Sequence, residues 1–249
     1  MTKIIALLNQ KGGVGKTTTT YNIASVLANE GNKVLMIDSD SQASLTLMMG
    51  IDPLSTEDNL AAIYDGIDIN SCIALSSIEN LDYIPSSLSL AKVETKLMSV
   101  MLGREFKLKK ALDQLKQNYD YILIDCPPTL GLLTINALIA SDAVIAPCET
   151  TSLSIYALDD LIETIENIKE VNSKLIFLGV IAMKFVQNSN SHKKSLQELQ
   201  ERFTLLGTIK NSVSAQAGID EGLPCVIAAP KSSVSIAYQE IITKIKEEI

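Results

Sequence analysis

The 249 residues contain no tryptophan and one histidine, His192, and aromatic residues make up only 4%. A single histidine excludes histidine-based triads and most zinc sites. Sparse aromatics argue against a base-stacking platform for single-stranded nucleic acid. Cysteine is also scarce. Cys72, Cys126, Cys148 and Cys225 have no metal-like spacing, and four are few for a disulfide scaffold. A reducing compartment, the cytoplasm, is therefore expected. Long apolar runs are missing: Leu175–Met183 is the longest nearly apolar stretch, with Gly179 inside it. A spanning helix needs roughly 20 residues, so the mean hydropathy of +0.22 reads as buried strands. The opening MTKIIALLNQKGG has a short apolar stretch and no small-residue cleavage site, so no secretory signal is expected. Positive charge is in deficit, with 21 basic against 29 acidic residues and a net charge of −8. Such a chain does not bind nucleic acid by bulk charge, so any such contact needs a local patch.

What is present is a chain rich in core-forming residues. Hydrophobic residues reach 47%, which excludes a disordered chain. Continuous Val/Ile/Leu runs predict strands at Lys3–Leu8, Lys33–Asp38, Tyr121–Asp125, Ala143–Pro147, Leu175–Met183 and Leu205–Ile209. Unbroken runs of this kind mark strands buried on both faces, as in parallel sheets covered by helices. Helical patterns fall between them, at Lys16–Asn29, Leu88–Leu102, Phe106–Gln117, Leu130–Ala140, Ser154–Val171, Ser191–Phe203 and Ser233–Glu248. The alternation predicts a single-domain α/β fold over residues 1–249: a doubly wound, mostly parallel sheet flanked by helices. Ligands in such folds sit at the carboxyl ends of the strands. The region from Ile51 to Leu102 is the least regular and is expected to hold helices and one short strand near Tyr83.

Between the first strand and first helix stands Asn9-Gln10-Lys11-Gly12-Gly13-Val14-Gly15-Lys16-Thr17-Thr18. Glycines there let successive N–H groups, including those of Gly12, Gly13, Val14 and Gly15, point into one concavity. The helix N-terminus adds partial positive charge. Lys16 is expected to reach the β- and γ-phosphates of a nucleotide, Thr17 to ligate Mg²⁺, and Thr18 to contact the α-phosphate. The usual phosphate loop has glycine where Gln10 stands, so the strict pattern fails and Lys11 is an extra lysine. A dinucleotide-binding fold is the rival reading, because Gly13-x-Gly15 half-matches its fingerprint and Asp38 ends the next strand. It leaves Lys16-Thr17 without a role.

Two later strands end in acid. VLMID closes on Asp38 and continues to Asp40, and YILID closes on Asp125 before Cys126-Pro127-Pro128. Apolar strands feeding a terminal Asp are a setting for holding Mg²⁺ in nucleotide hydrolases. Asp125 is assigned that role, with Asp38 assisting. Asp40, two residues past its strand, is assigned to orient the attacking water. The proline pair stiffens a loop placed to sense the γ-phosphate.

Together KGGVGKTT, VLMIDSDSQ and YILIDCPP resemble the deviant Walker A ATPases of the ParA/MinD group, within the P-loop NTPases. The likeness continues through VIAPCETTSLSIYALDDL and the tail GTIKNSVSAQAGIDEGLPCVIAAPKSSVSIAYQEI. The chain is most similar to ParA/Soj-type partition ATPases, with Ser41 where that type has proline. The resemblance implies an ATP- and Mg²⁺-dependent switch, weak alone and stimulated by a partner. Lys11 matches the signature lysine that crosses an ATP-sandwich homodimer, and so joins Lys16 and Asp40 as catalytic candidates. Asn211 matches an asparagine near the adenine. Nonspecific double-stranded DNA and a ParB-like centromere-binding protein are the implied partners, with the chain cytoplasmic and nucleoid-associated. An iron–sulfur cluster is not expected, since Cys126 and Cys148 lie in different contexts.

Two segments are candidates for DNA contact. Residues 92–116 hold seven basic against three acidic residues, and residues 184–210 hold five against two. A membrane-seeking tail is not expected, because the C-terminus ends in two acids before Ile249 and reads as a helix packing through Ile241, Ile245 and Ile249. The first strand begins at residue 3, so no helix-turn-helix unit, and no operator reading, is expected ahead of it. Two alternatives remain: a MinD-like positioner of protein cargo or of membrane, and a metabolic nucleotide-dependent enzyme.

Overall fold

The computed structural model describes residues 1–211 and 222–249. Strands run Lys3–Leu7 (β1), Val34–Asp38 (β2), Ala74–Leu75 (β3), Leu81–Ile84 (β4), Tyr121–Asp125 (β5), Ala143–Glu149 (β6), Ile176–Phe185 (β7) and Leu205–Lys210 (β8). They form one sheet in the order β3-β4-β2-β5-β1-β6-β7-β8. Among the described residues, only the β3–β4 pairing is antiparallel; the others are parallel. Helices run Lys16–Asn29 (α1), Ser44–Met48 (α2), Leu60–Tyr64 (α3), Leu90–Met98 (α4), Lys107–Leu112 (α5), Leu132–Ala140 (α6), Ser152–Lys169 (α7), Asn190–Arg202 (α8), Cys225–Ala228 (α9) and Ser233–Glu248 (α10).

Side chains along the central strands alternate between two cores. Ala6, Leu35, Ile37, Ile122 and Ile124 face a core shared with α3, α4, α5, α6 and α7. Ile5, Leu7, Val34, Met36 and Leu123 face a second core closed by α1, α9 and α10. Both faces being apolar explains why these strands read as unbroken runs. Burying each such side chain contributes about 1.5–3 kcal/mol, and every residue of β2 is buried. The doubly wound reading therefore holds. The final helix buries Ile241, Ile242 and Ile245, with Ile249 packed at its end. Among the described residues, no helix is long and apolar enough to cross a membrane.

Three local expectations change. The helix expected over 106–117 ends at Leu112. Asn70 supplies the alternative partners: its Nδ2 donates to Gln114 O at 3.0 Å, and its Oδ1 accepts the Lys116 N–H at 2.9 Å. A second short strand, β3, pairs beside β4 at the sheet edge. Helix α2 begins just past Asp40, where no helix was expected, after Ala43 takes the left-handed φ of 53°.

Register brings the chemistry together. Leu7 pairs with Asp125, and Asp38 also pairs with Asp125. The ends of β1, β2 and β5 thus meet at the entrance to α1.

Candidate functional site at the carboxyl ends of the central strands

The loop from β1 to α1 is held to neighbouring β6 by its own Asn9 side chain. Asn9 is buried; its Nδ2 donates to Pro147 O at 2.7 Å, and its Oδ1 accepts the Lys11 N–H at 2.9 Å. Gly13 and Gly15 take φ of 70° and 99°, which side-chain-bearing residues rarely adopt. A Cβ on Gly15 would also lie 2.8 Å from Met183 Cε. Val14 is buried, so it anchors the loop while the backbone faces the concavity. Lys16 opens α1 and is 7% exposed, with Nζ 3.4 Å from Lys11 O. Burial pushes its ammonium below the ordinary lysine value, while Asp125 and then Asp40 pull it back.

Asp38 and Asp125 are both 1% exposed. Burial drives Asp125 up to about 8, and the neighbouring Asp38 adds to the rise; the Thr17 hydroxyl and Lys16 oppose it. Asp38 is pushed up to about 6, again first by burial, against hydrogen bonds from Thr46 and the Asp40 N–H. Asp40 is half-buried, and its Oδ1 accepts the Gln42 N–H at 2.9 Å.

This pair sets a pH dependence. Carboxyls raised in the folded chain hold protons that the unfolded chain has lost between about pH 4 and pH 8, so their contribution to stability falls as pH rises through that window. The Tm of the nucleotide-free protein is therefore expected to fall more between about pH 5 and pH 8 than that of Asp125→Asn. Parallel thermal melts of the two proteins check this. Equal slopes would mean that the carboxyls do not share a proton-holding site.

Lys11 does not extend into solvent. Its Nζ forms an ion pair with Glu149 Oε2 and a 3.1 Å hydrogen bond with Ser154 Oγ. Lys184 takes the other oxygen, Glu149 Oε1, at 2.5 Å and donates to Gly13 O at 2.7 Å. It does so from a left-handed φ of 54° at an irregularity in β7. Burial pushes the Glu149 carboxyl up, but the hydrogen bonds and charges of Lys11 and Lys184 outweigh it and hold it below the usual range.

Comparison with known proteins gives this geometry a lineage. The family described as an AAA domain matches residues 2–177. The sporulation initiation inhibitor protein Soj of Bacillus subtilis is 37% identical over 98% of each chain. The chain belongs to the ParA/MinD family of P-loop ATPases. A putative plasmid partition protein from Borrelia burgdorferi, bound to AMPPNP, superposes with a TM-score of 0.86 at 31% identity, covering 100% of both chains. The septum site-determining protein MinD of Pyrococcus horikoshii, complexed with Mg-ADP, does so with a TM-score of 0.81 at 25% identity, covering 100% of this chain and 97% of that one.

In this ParA/MinD-family chain, Gly12 to Thr18 and the carboxylates Asp38, Asp40 and Asp125 gather at one end of the sheet. Thr18 lines a small cleft with Tyr21, Asn22 and Met48. Asn211 lies just past β8, its N–H donating to Phe185 O at 3.1 Å. Sequence reading missed Glu149, Ser154, Thr46 and Ser86. Glu149 carried a usable signal, since it ends an apolar strand as Asp38 and Asp125 do. Of the basic segments, ion pairs take Lys96 and Lys116 from 92–116, and Lys184 and Arg202 from 184–210, among the described residues.

Proposed function

We propose that the chain, acting as one ATPase domain over residues 1–249, is a Mg²⁺-dependent ATPase. Its ATP-bound form pairs as a sandwich dimer and binds double-stranded DNA without sequence preference. It segregates plasmid or chromosomal DNA with a centromere-binding, ParB-like partner. The observation that carries this reading is the convergence of Lys16, Thr17, Asp125 and Asp40 on the N-terminus of α1, with Lys11 on the same loop. The likenesses to Soj and to a partition protein bound to AMPPNP support it.

The donor set fits magnesium held with a nucleotide. Such magnesium takes one or two carboxylates and draws its other oxygens from phosphate and water. The two buried carboxylates at the strand ends, beside the Thr17 hydroxyl, match that demand. Thr17 and Asp125 would hold the ion, with Asp38 assisting. When bound, it neutralises charge developing on the phosphates. The N–H groups of Gly12, Gly13, Val14 and Gly15 cradle phosphate oxygens, Lys16 pairs with the β- and γ-phosphates, and Thr18 reaches the α-phosphate. Asp40 accepts a hydrogen bond from the attacking water and orients it. Asn211 borders the adenine. Lys11 leaves Glu149 and reaches the phosphates of the second subunit. Hydrolysis is weak alone and rises when the partner docks. The chain is cytoplasmic and sits on the nucleoid while ATP is bound.

The MinD likeness supports a second reading, in which the same switch positions a protein cargo or acts at a membrane. Glu247 and Glu248 at the end of α10 disfavour an anionic lipid surface. Fluorescence anisotropy of a random-sequence duplex separates the readings, with no nucleotide, ADP–Mg²⁺ or ATP–Mg²⁺. Binding is expected with ATP alone. With about six phosphate contacts, it should weaken on the order of a thousandfold between 50 and 200 mM salt. No binding in any state would leave the ATPase and move the function to a protein cargo.

A further inference from the structure

A closed ring of buried hydrogen bonds lies directly behind Asp40. Asp38, Thr46 and Ser86 are 1%, 0% and 0% exposed. Thr46 donates to Asp38 Oδ2 twice, from its backbone N at 2.9 Å and from Oγ1 at 2.7 Å. The other oxygen, Asp38 Oδ1, accepts the Asp40 N–H at 3.2 Å. Thr46 Oγ1 accepts the Ser86 N–H at 2.8 Å, and Ser86 Oγ donates to Asp40 O at 2.7 Å. The ring runs from Asp38 through Thr46 and Ser86 to Asp40 and back.

Each link has a structural reason. Asp38 closes β2, and Ser86 follows β4, the strand paired beside it. Thr46 reaches back from α2 because Ala43 turns the chain in the left-handed region. The peptide groups on both sides of Asp40 are thus fixed by side chains, the N–H by nearby Asp38 and the carbonyl by Ser86, 46 residues away. Removing the buried Thr46 hydroxyl is costly, because the Ser86 N–H is then left unmet away from water and Asp38 Oδ2 keeps only the Thr46 N–H. The ring leaves the Asp40 side chain outside it, on the side where Lys16 feels its charge.

We infer that Thr46 and Ser86 are positioning residues that hold Asp40 in its productive orientation, with Asp38 as the anchor of the ring. This rests on the reading of Asp40 as the group that orients the attacking water. The hydroxyls of Thr46 and Ser86 are fully buried and engaged within the ring. Their loss should therefore lower turnover while leaving nucleotide binding to the phosphate loop.

The test compares Thr46→Val, Thr46→Ser, Ser86→Ala and Asp40→Ala in the full chain. Single-turnover ATP hydrolysis, affinity for a fluorescent ATP analogue and amide hydrogen exchange over residues 40–46 are measured for each. A misplacement of about 1 Å can cost a hundredfold in rate. Thr46→Val and Ser86→Ala are expected to slow hydrolysis by about ten- to a hundredfold, within about twofold of normal analogue affinity. Exchange at Asp40 and Thr46 should quicken, and Thr46→Ser should restore both rate and protection. If Asp40→Ala loses hydrolysis while Thr46→Val and Ser86→Ala keep the wild-type rate, the positioning role falls and the role of Asp40 stands. If Asp40→Ala hydrolyses normally, the reading of Asp40 falls and the positioning role falls with it. If Thr46→Ser is as slow as Thr46→Val, restoring the hydroxyl alone does not restore turnover, and the inference is overturned for Thr46. Should Thr46→Val fail to fold, Ser86→Ala carries the test alone, since it removes one hydroxyl and leaves the Asp38–Thr46 bonds in place.

Discussion

Replacing Lys16 by alanine is expected to weaken ATP binding by at least about a hundredfold, as measured by titration calorimetry with ATP and Mg²⁺. Truncating one partner of a buried, hydrogen-bonded charge pair costs about 2–5 kcal/mol, which spans that loss. Lys16 meets the conditions for a large effect. It is 7% exposed, its ammonium is already disfavoured by burial, and Asp125 and Asp40 are its nearest compensation. A triphosphate would add the charge the ammonium lacks. Removing the lysine leaves the phosphates facing three carboxylates: Asp38, Asp40 and Asp125. The glycine-rich backbone and helix dipole remain, and they alone contribute less than a desolvated ion pair. ATP affinity unchanged from wild type would remove Lys16 from the phosphate site, and the assignment of the loop with it.

Much of this geometry was legible because it is local. The phosphate loop is a continuous stretch between one strand and one helix, and its glycines declare the backbone bends at Gly13 and Gly15. The central strands were legible because both faces are buried, so every residue obeys one rule. The edge was not. β3 has two residues, and Leu75 is 82% exposed, so no pattern could mark it. Helix α2 was illegible for a different reason. It begins without a side-chain cap of its own, and its first turn is pinned by Asp38 from another element. The partners of Lys11 were hidden by distance, since Glu149 and Ser154 lie 138 and 143 residues away along the chain. What sequence could offer was the recurrence of an acid at the end of an apolar strand. That signal picked out Asp38 and Asp125 and applied equally to Glu149.

Glu149 bears on the other large effect. Lys11→Ala is expected to bind ATP within about threefold of wild type, yet to lose ATP-dependent dimerisation and most hydrolysis. A cation supplied across an interface to a phosphoryl group in transfer is worth on the order of a thousandfold or more in rate. Light scattering during size-exclusion chromatography, with ATP–Mg²⁺ present, reads the first loss, and phosphate release reads the second. Near-normal affinity is expected because in the single chain the ammonium of Lys11 is engaged by Glu149 and Ser154 rather than by the concavity. The same contacts make it movable. Glu149 has one lysine on each oxygen, and when Lys11 departs, Lys184 stays on Oε1. The carboxylate is then not left bare, so releasing Lys11 costs less than breaking an isolated ion pair. A Lys11→Ala protein that dimerises and hydrolyses ATP like wild type would confine Lys11 to its ion pair with Glu149. The switch would then need another cation across the interface, and Lys184, already bonded to Gly13 O, is the next lysine along the same rim.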